Sequence, residues 1–380
     1  MYRTLLIALS VFSLATTAQA QTFSTPEHDY QISTYVDGLM QPWSMTWLPN
    51  GDMLVTEKPG RLRIVRDGEL LSEPVVGVPD VYYQGQGGLF DVVLHPDFES
   101  NNLIYLTYAT ATSGNSATAI VRGTYSDGQL SNVENVFVAQ SSGRSHYGGR
   151  LVFDQNGYMF LTAGDRQASL MGDAQAHPAQ DLGNHAGVII RLHDDGSVPD
   201  DNPFVDQPGA MPEIWSYGHR NPQGLAIHPM TGDLWENEHG PQGGDELNRI
   251  EPGQNYGWPV IGYGVNYGGA RIHNSTNQPG MTRPAHHWVP SIATSGLMIY
   301  TGEQFPDWQG DIFVGGMVGE QLAKLSMGED GMAVTGETTM VSNMGRIRDV
   351  RQGPNGYIYL AIEDRRGGSE TPILRLEPAD

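Results

Sequence analysis

The sequence contains no cysteine, and beyond its first 20 residues it has no apolar run of membrane-spanning length. The first absence excludes disulfide bonds, so the folded chain must be stabilised by its apolar core or by bound ions. The second excludes a transmembrane helix, which needs about 20 apolar residues. We therefore expect a soluble mature protein without a membrane span.

The first 20 residues have the features of a secretory signal peptide. Arg3 supplies a positive charge, an apolar run extends from Leu5 to Ala15, and small residues mark a cleavage site at Ala18-Gln19-Ala20. A membrane anchor is the alternative, but this apolar run is too short to cross a bilayer. The pattern predicts removal of residues 1–20 and a periplasmic or secreted protein.

Basic residues are scarce, with 21 Lys and Arg against 43 Asp and Glu and a formal net charge of −22. Such acidity disfavours nucleic acid and anionic membrane surfaces as partners. A solvated, soluble surface accounts for most of it. Calcium is a plausible ligand because carboxylates and carbonyls are the groups that bind it.

Long amphipathic helices are also missing, and one short phrase recurs six times instead. Each copy joins a hydrophobic segment, a turn built on Asp, Asn or Gly, and a β-rich strand. The copies are Trp47–Glu57, Leu94–Tyr108, Phe153–Asp165, Ile227–Glu238, Phe305–Gly315 and Gln352–Asp364. Repetition at this interval predicts an all-β radial repeat fold, a β-propeller, in which loops from every blade converge on a central channel.

We find no linker that would divide the chain, so one domain over residues 21–380 is expected. Two long insertions interrupt the repeat, Arg166–His185 and Pro252–Pro290. Loops of this length inside a compact domain are usually functional or disordered.

Arginines in three places indicate an anion site. Arg220 and Asn221 precede Pro222, and a guanidinium offers a planar fork of donors that suits a carboxylate. Arg346 and Arg348 lie two residues apart, which places both on one face of a strand. The alternative is ordinary surface ion pairing with the abundant acids. Together the arginines favour an anion with several carboxylates or phosphates.

His146 is a candidate general base, since a neutral imidazole titrates near physiological pH. His146 lies just before the third phrase, and Asp165, which ends that phrase, is a candidate to orient the other ring nitrogen. A structural role is the alternative for any single histidine. Gln86 lies in a glycine-rich segment that no βαβ unit follows, so a nucleotide loop is rejected and Gln86 is expected at the channel mouth.

Backbone carbonyls of Gly240 and Pro241 are candidate ligands for a hard cation, and Glu246 is a candidate ligand for a second ion. The EF-hand spacing is missing. Zinc at Glu236–His239 is disfavoured because a strand would divide those side chains between two faces.

In combination these motifs resemble the soluble pyrroloquinoline-quinone (PQQ) dependent sugar dehydrogenases, in particular the aldose sugar dehydrogenase branch, the glucose/sorbosone dehydrogenase family. The resemblance extends from Gln41 to Leu376 and includes HYGGR, AGDR, YGHRNPQG, EHGPQGGDE and RIRDV. It implies a six-bladed propeller, PQQ and calcium as cofactors, and oxidation of an aldose at C1 to the lactone. Electrons would pass to an external acceptor.

Site residues follow from the resemblance by position. It assigns the general base to His146, its orienting acid to Asp165, and stabilisation of the oxyanion on the quinone to Arg220. Contacts to PQQ are assigned to Gln86, Arg220, Asn221, Tyr267, Arg346 and Arg348. Calcium ligands are assigned to the carbonyls of Gly240 and Pro241 in the active site, and to Glu246 and Tyr256 in a structural site.

One departure from the family pattern concerns a lysine that meets PQQ after the fifth phrase, where this sequence has Val318. Losing a charged hydrogen bond costs about 1.5–3 kcal/mol, which predicts weaker or altered cofactor binding. Two other functions stay open, a calcium-dependent lactonase and a non-catalytic propeller that binds a sugar or a protein.

Overall fold

The computed structural model describes residues 21–113 and 115–379, so the predicted signal peptide lies outside the described residues. The described chain begins with β1 (Gln21–Ser24) and β2 (Asp29–Met40).

Four blades of four strands each follow along the chain. Blade 1 consists of β3 (Pro42–Trp47), β4 (Met53–Glu57), β5 (Arg61–Arg66) and β6 (Glu69–Leu70). Blade 2 consists of β7 (Leu89–Leu94), β8 (Leu103–Thr112), β9 (Asn115–Ser126) and β10 (Gln129–Val138). Blade 3 consists of β11 (Leu151–Phe153), β12 (Met159–Ala163), β13 (Val188–Leu192) and β14 (Ile214–Tyr217). Blade 4 consists of β15 (Pro222–Ile227), β16 (Leu234–Glu238), β17 (Asp245–Ile250) and β18 (His286–Trp288).

The last two blades complete a ring. Blade 5 consists of β19 (Thr294–Ile299), β20 (Ile312–Gly316), β21 (Gln321–Met327) and β22 (Val334–Ser342). Blade 6 consists of β23 (Arg346–Gln352), β24 (Ile358–Glu363) and β25 (Glu370–Pro378), to which β2 and β1 add in antiparallel fashion. The first strands of successive blades contact one another around the ring, so they line its centre. The predicted all-β, six-bladed β-propeller is confirmed.

Helix is confined to short pieces in the described ranges. They are α1 (Phe98–Asn101) and 3-10 turns at Ala174–Ala176, Pro178–Gln180 and Pro306–Trp308. None of the helices in these ranges is long and apolar enough to cross a membrane.

Each recurring phrase corresponds to the connection between the first and second strands of one blade. In blade 1, for example, the turn around Asn50 and Gly51 joins β3 to β4. All five residues of β4 are buried, because a second strand has a neighbouring blade on each face. The phrases therefore mark the inner half of every blade.

Six of the seven apolar clusters lie at the seams between adjacent blades, one at each seam. At the seam of blades 5 and 6, Phe313 packs with Ile347, and at that of blades 3 and 4, Phe160 packs with Leu225. Every blade thus buries apolar side chains on both faces. This distributed core stabilises the chain without disulfides.

A buried polar network, which we call the hub, joins the inner strands. Arg150 Nη2 lies 3.1 Å from Asp349 Oδ1, and Arg150 Nη1 lies 3.4 Å from Asp91 Oδ1. Arg351 contacts the same two carboxylates at 2.9 and 3.0 Å, and the Ser44 hydroxyl donates to Asp91 at 2.5 Å. The hub therefore links blades 1, 2, 3 and 6 through balanced charges.

Candidate active site

A cavity of about 320 Å³ opens among the inner loops of several blades, and we call it the large cavity to distinguish it from a smaller neighbour beside it. Its polar lining comes from residues far apart in the sequence, as a channel-mouth site in a propeller requires. These polar lining residues include Lys58, Gln86, Asn221, Gln223, His239, Tyr267, Arg346, Arg348 and Glu363. Trp43, Phe90 and Met317 supply apolar walls.

Arg346 and Arg348 both line this cavity, as their spacing predicted. Arg348 Nε donates to Glu363 Oε2 at 2.9 Å and its Nη1 donates to Gln223 Oε1 at 3.2 Å. Arg346 Nη1 donates to the Met317 carbonyl at 3.2 Å, while its buried Nε has no partner among the described residues. Burial lowers the pKa of Arg346, so an anion would relieve the cost of holding its charge there.

His146 and Asp165 form a buried pair. His146 Nδ1 lies 2.6 Å from Asp165 Oδ1, and Trp258 Nε1 donates to Asp165 Oδ2 at 2.7 Å. Burial alone would raise the pKa of Asp165, but the hydrogen bond from His146 and nearby positive charge lower it. The carboxylate therefore stays ionised and orients the ring through Nδ1, so Nε2 is not engaged by Asp165.

The local backbone makes this pair possible. His146 has a φ of 44°, a left-handed conformation that is uncommon outside glycine, and its N–H donates to Gln86 Oε1 at 2.7 Å. A Cβ at Gly164 would lie 2.4 Å from the His146 carbonyl, so only glycine permits the close approach. Strained backbone of this kind is typical of functional sites.

The predicted Arg220–Asn221 pair is divided between two cavities. Asn221 lines the large cavity, whereas Arg220 lines a much smaller neighbour of about 10 Å³, which we call the small cavity. Arg220 Nη1 donates to the carbonyls of His239 at 3.0 Å and Gly240 at 2.8 Å. Arg220 therefore does not line the same cavity as Arg346 and Arg348.

His239 joins the two cavities, since its side chain lines both. Burial lowers the pKa of His239 to about 3, with contributions from the charges of Arg220 and Arg348. The imidazole is thus neutral at ordinary pH. Arg220 lines the small cavity and Arg348 the large one, so positive charges from both cavities act on His239.

All four predicted calcium ligands line the small cavity, namely Gly240, Pro241, Glu246 and Tyr256. The sequence divided them between two ions, but the structure brings them to one cavity. The Gly240 carbonyl already accepts a hydrogen bond from Arg220, so a cation there would share that oxygen. Tyr256 uses its hydroxyl to donate to the Arg249 carbonyl at 2.6 Å, which leaves its backbone as the available ligand.

Carboxylates line the small cavity, and another is buried next to them. Glu238 is paired across the strands with Glu246, and Glu236 with Asn248. Burial and the neighbouring Glu238 raise the pKa of Glu236 and of Glu246. Within the described residues, Glu236 Oε1 and Asn248 Oδ1 are buried without a partner. An oxygen-rich, under-satisfied cluster of this kind suits a hard cation.

Tyr267 lies at the edge of the large cavity and is 68% exposed. Val318, at the position where the resemblance expects a lysine, also borders the cavity and is 66% exposed. The sequence reasoning missed Lys58, Glu363 and the bridging position of His239. Lys58 directly follows the recurring phrase of blade 1, but no local sequence signal connects it to Arg346 and Arg348, almost 300 residues later.

Comparisons with known proteins agree with this geometry. The family model described as "Glucose / Sorbosone dehydrogenase" matches residues 39–375. The aldose sugar dehydrogenase YliI of Escherichia coli (strain K12) is 42% identical over 356 residues, which cover 91% of this chain and 92% of that protein. The crystal structure of the soluble aldose sugar dehydrogenase from Escherichia coli in the apo-form has a TM-score of 0.84 and 39% identity, covering 92% of this chain and 100% of that one.

The PQQ-bound form of an aldose sugar dehydrogenase from Streptomyces coelicolor is also similar. Its TM-score is 0.74 at 28% identity, and the match covers 96% of this chain and 99% of that one. Family model, sequence relatives and solved structures thus agree over nearly the whole described chain, and they confirm the resemblance inferred from its motifs. The chain belongs to the glucose/sorbosone dehydrogenase family.

Proposed function

We propose that this protein oxidises aldose sugars at C1 to the lactone, with PQQ and calcium as cofactors and an external electron acceptor. The observation that carries the proposal is the cationic large cavity beside the His146–Asp165 pair. Arg346 and Arg348 face this cavity in a chain whose net charge is −22. Clustered guanidinium groups in so acidic a protein favour an anionic ligand.

The residues present fit PQQ, a flat tricarboxylate. Arg346 has an unpartnered buried Nε, and Arg348 is held in place by Glu363 and Gln223. Asn221 and Gln86 add amide groups at the same cavity. When bound, PQQ supplies the two-electron acceptor for the C1 hydride, which no protein side chain provides.

His146 is proposed to take the proton from the C1 hydroxyl. Asp165 holds Nδ1 at 2.6 Å, so Nε2 accepts the proton and the resulting imidazolium is stabilised by the carboxylate. Trp258 holds the other oxygen of Asp165 and thereby fixes the plane of the pair. Loss of the proton from oxygen and of hydride from carbon together amount to a two-electron oxidation.

Calcium is proposed for the small cavity, where carbonyls and carboxylates provide hard oxygen ligands. Gly240, Pro241 and Glu246 would hold it, and the ion would act as a Lewis acid. Arg220, which shares the Gly240 carbonyl, would add fixed positive charge between the two cavities.

We further propose that the mature protein acts outside the cytoplasm. The features of residues 1–20 support export, and a periplasmic or secreted location follows from it. The physiological acceptor would then be another exported electron carrier.

The test is reconstitution of the purified apo-protein with PQQ and calcium, followed by aldose-dependent reduction of a redox dye. Activity that requires both additions, and that a calcium chelator abolishes, supports the proposal. The His146→Ala variant should keep PQQ binding but lose about 10²–10⁴-fold in turnover, because the proton acceptor is gone. Unchanged turnover in this variant would remove His146 from the reaction.

The same assay distinguishes the alternatives. A lactonase would hydrolyse lactones without PQQ or dye, and a binding module would show neither activity. Either result would overturn the proposed oxidation.

A further inference from the structure

We infer that Lys58 is an additional cationic anchor for a carboxylate of the bound cofactor, in place of the cation that the fifth blade lacks at Val318. This inference rests on the proposed function. It concerns a residue of blade 1 that none of the motif reasoning assigned to the site.

The backbone of Lys58 is fixed beside the large cavity. Its N–H donates to the Gln41 carbonyl at 3.0 Å, and its carbonyl accepts from the Leu89 N–H at 2.9 Å. A Cβ on Gly88 would lie 2.3 Å from the Lys58 carbonyl oxygen and 2.6 Å from Lys58 Cγ. Gly88 thus lets the start of the Lys58 side chain pack closely against the backbone on its way to the cavity.

The large cavity is lined by more cationic than anionic side chains. Lys58, Arg346 and Arg348 line it, whereas Glu363 is the one carboxylate among its lining residues. Glu363 is within salt-bridge distance of Arg348. Within residues 21–113 and 115–379, Lys58 has no carboxylate within 4.0 Å, so the cavity carries excess positive charge.

A comparison with Lys324 shows that the free ammonium group is unusual in this chain. The sequence has two lysines, and Lys324 is buried against Asp311 at 3.1 Å. Lys58 instead faces Arg348 and Glu363, and its pKa is lowered by burial and by the charge of Arg348, against the opposing effect of Glu363. A bound carboxylate would favour the charged form of Lys58 and relieve this repulsion.

Direct titration of PQQ into calcium-loaded apo-protein tests the inference through binding alone, without activity. Lys58→Met should raise the Kd for PQQ about 10- to 100-fold, the effect of removing one charged hydrogen bond. Lys58→Arg should stay within about threefold of the unchanged protein, because it keeps the charge. Arg66→Met, which removes an exposed cation paired with Asp52, is the matched control and should leave the Kd unchanged.

The outcomes separate the inference from the function on which it rests. If the unchanged protein binds PQQ and Lys58→Met binds it equally well, Lys58 is not an anchor while the proposed function stands. If the unchanged protein fails to bind PQQ, both fall.

A second measurement needs no variant and therefore does not depend on a variant's folding. An amine-selective reagent should modify Lys58 in the apo-protein, whereas buried Lys324 should react slowly. Saturating PQQ should reduce labelling of Lys58 at least about fivefold, as measured by peptide mass spectrometry, because a paired and enclosed ammonium is a poor nucleophile. Equal labelling of Lys58 with and without PQQ would overturn the inference.

Discussion

The His146 ring is held by two side chains that come from other parts of the sequence, one contacting the ring and the other contacting the first. Asp165 lies 19 residues after His146, and Trp258 belongs to the Pro252–Pro290 insertion. An insertion predicted only as functional or disordered thus supports the acid that orients the candidate base. Removing the carboxylate charge while keeping its shape isolates this contribution.

Asp165→Asn should lower kcat on the order of 10²–10⁴-fold, because an amide cannot fix the ring tautomer or stabilise the imidazolium. Binding of PQQ should change little, since Asp165 does not line the large cavity. Steady-state kinetics and PQQ titration of the same preparation measure both quantities. Asp67→Asn, at an exposed turn, is the control.

The free energy of unfolding of Asp165→Asn should also depend on pH in a defined way. The folded pKa of Asp165 lies below its ordinary value of 3.8, so the ionised group stabilises the fold above that value. This contribution is lost as the pH falls through the lowered pKa. The unfolding free energy lost in Asp165→Asn should therefore be greatest near neutral pH and shrink below about pH 4. A loss that is constant from pH 7 to pH 3 would contradict the ionised state of Asp165.

For individual residues, the sequence indicated which side chains lie near the candidate site better than it indicated which other side chains they contact. His146 and Asp165 were paired because His146 lies just before the third phrase and Asp165 ends it. Arg220 and Asn221 were treated as one unit, but adjacent residues of extended backbone point to opposite sides, and they line different cavities. Lys58 was missed because its relation to Arg348 exists only after the ring closes.

Among the elements, β2 has a special position because it belongs to the last blade although it lies near the start of the chain. It pairs with β25 from Tyr30 opposite Pro378 to Met40 opposite Glu370. The side chain of Ile32 is buried in the cluster between blades 5 and 6. The pairing of β2 therefore closes the ring and fills part of a seam.

Ile32→Ala should lower the free energy of unfolding by about 2–5 kcal/mol, through lost burial and a cavity at the seam. Thr34→Ala, at an exposed position two residues later, should change it by no more than about 0.5 kcal/mol. Shifts in the urea midpoint measure both. Equal effects of the two substitutions would show that the seam does not limit the stability of the fold.

The phrases predicted the inner hairpin of each blade, because a turn residue between two apolar runs is a local signal. They did not predict that β2 joins β25. The two strands are more than 300 residues apart, and pairing at such separation leaves no local signature. Propeller closure is thus a property of the folded chain that the repeat count alone does not give.

For the whole molecule, the hub explains how blades with separate cores remain one body. Arg150 contacts Asp91 and Asp349 from its position at the centre, and its Nε donates to the Gln223 carbonyl of blade 4 at 3.1 Å. Its guanidinium also lies 4.3 Å from the centre of the Trp43 ring, which lines the large cavity. Through this contact with Trp43, the hub supports part of the lining of the large cavity.

Arg150→Met should lower the free energy of unfolding by about 3–5 kcal/mol, since it leaves buried carboxylates without one of their two cations. Arg66→Met, which breaks an exposed ion pair with Asp52, should have a much smaller effect, because solvent screens such a pair. Chemical denaturation of both variants gives the comparison. Comparable losses would contradict a central stabilising role for the hub.

The union of β2 with β25 also sets an order of events during biosynthesis. Blades 1 to 5 are each made from contiguous sequence, so each has all its strands as soon as that part of the chain leaves the ribosome. Blade 6 must wait, because its outer strands are made first and its remaining strands last. Arg346 and Arg348 belong to that final blade, so the large cavity is completed only once the strands of blade 6 have been made.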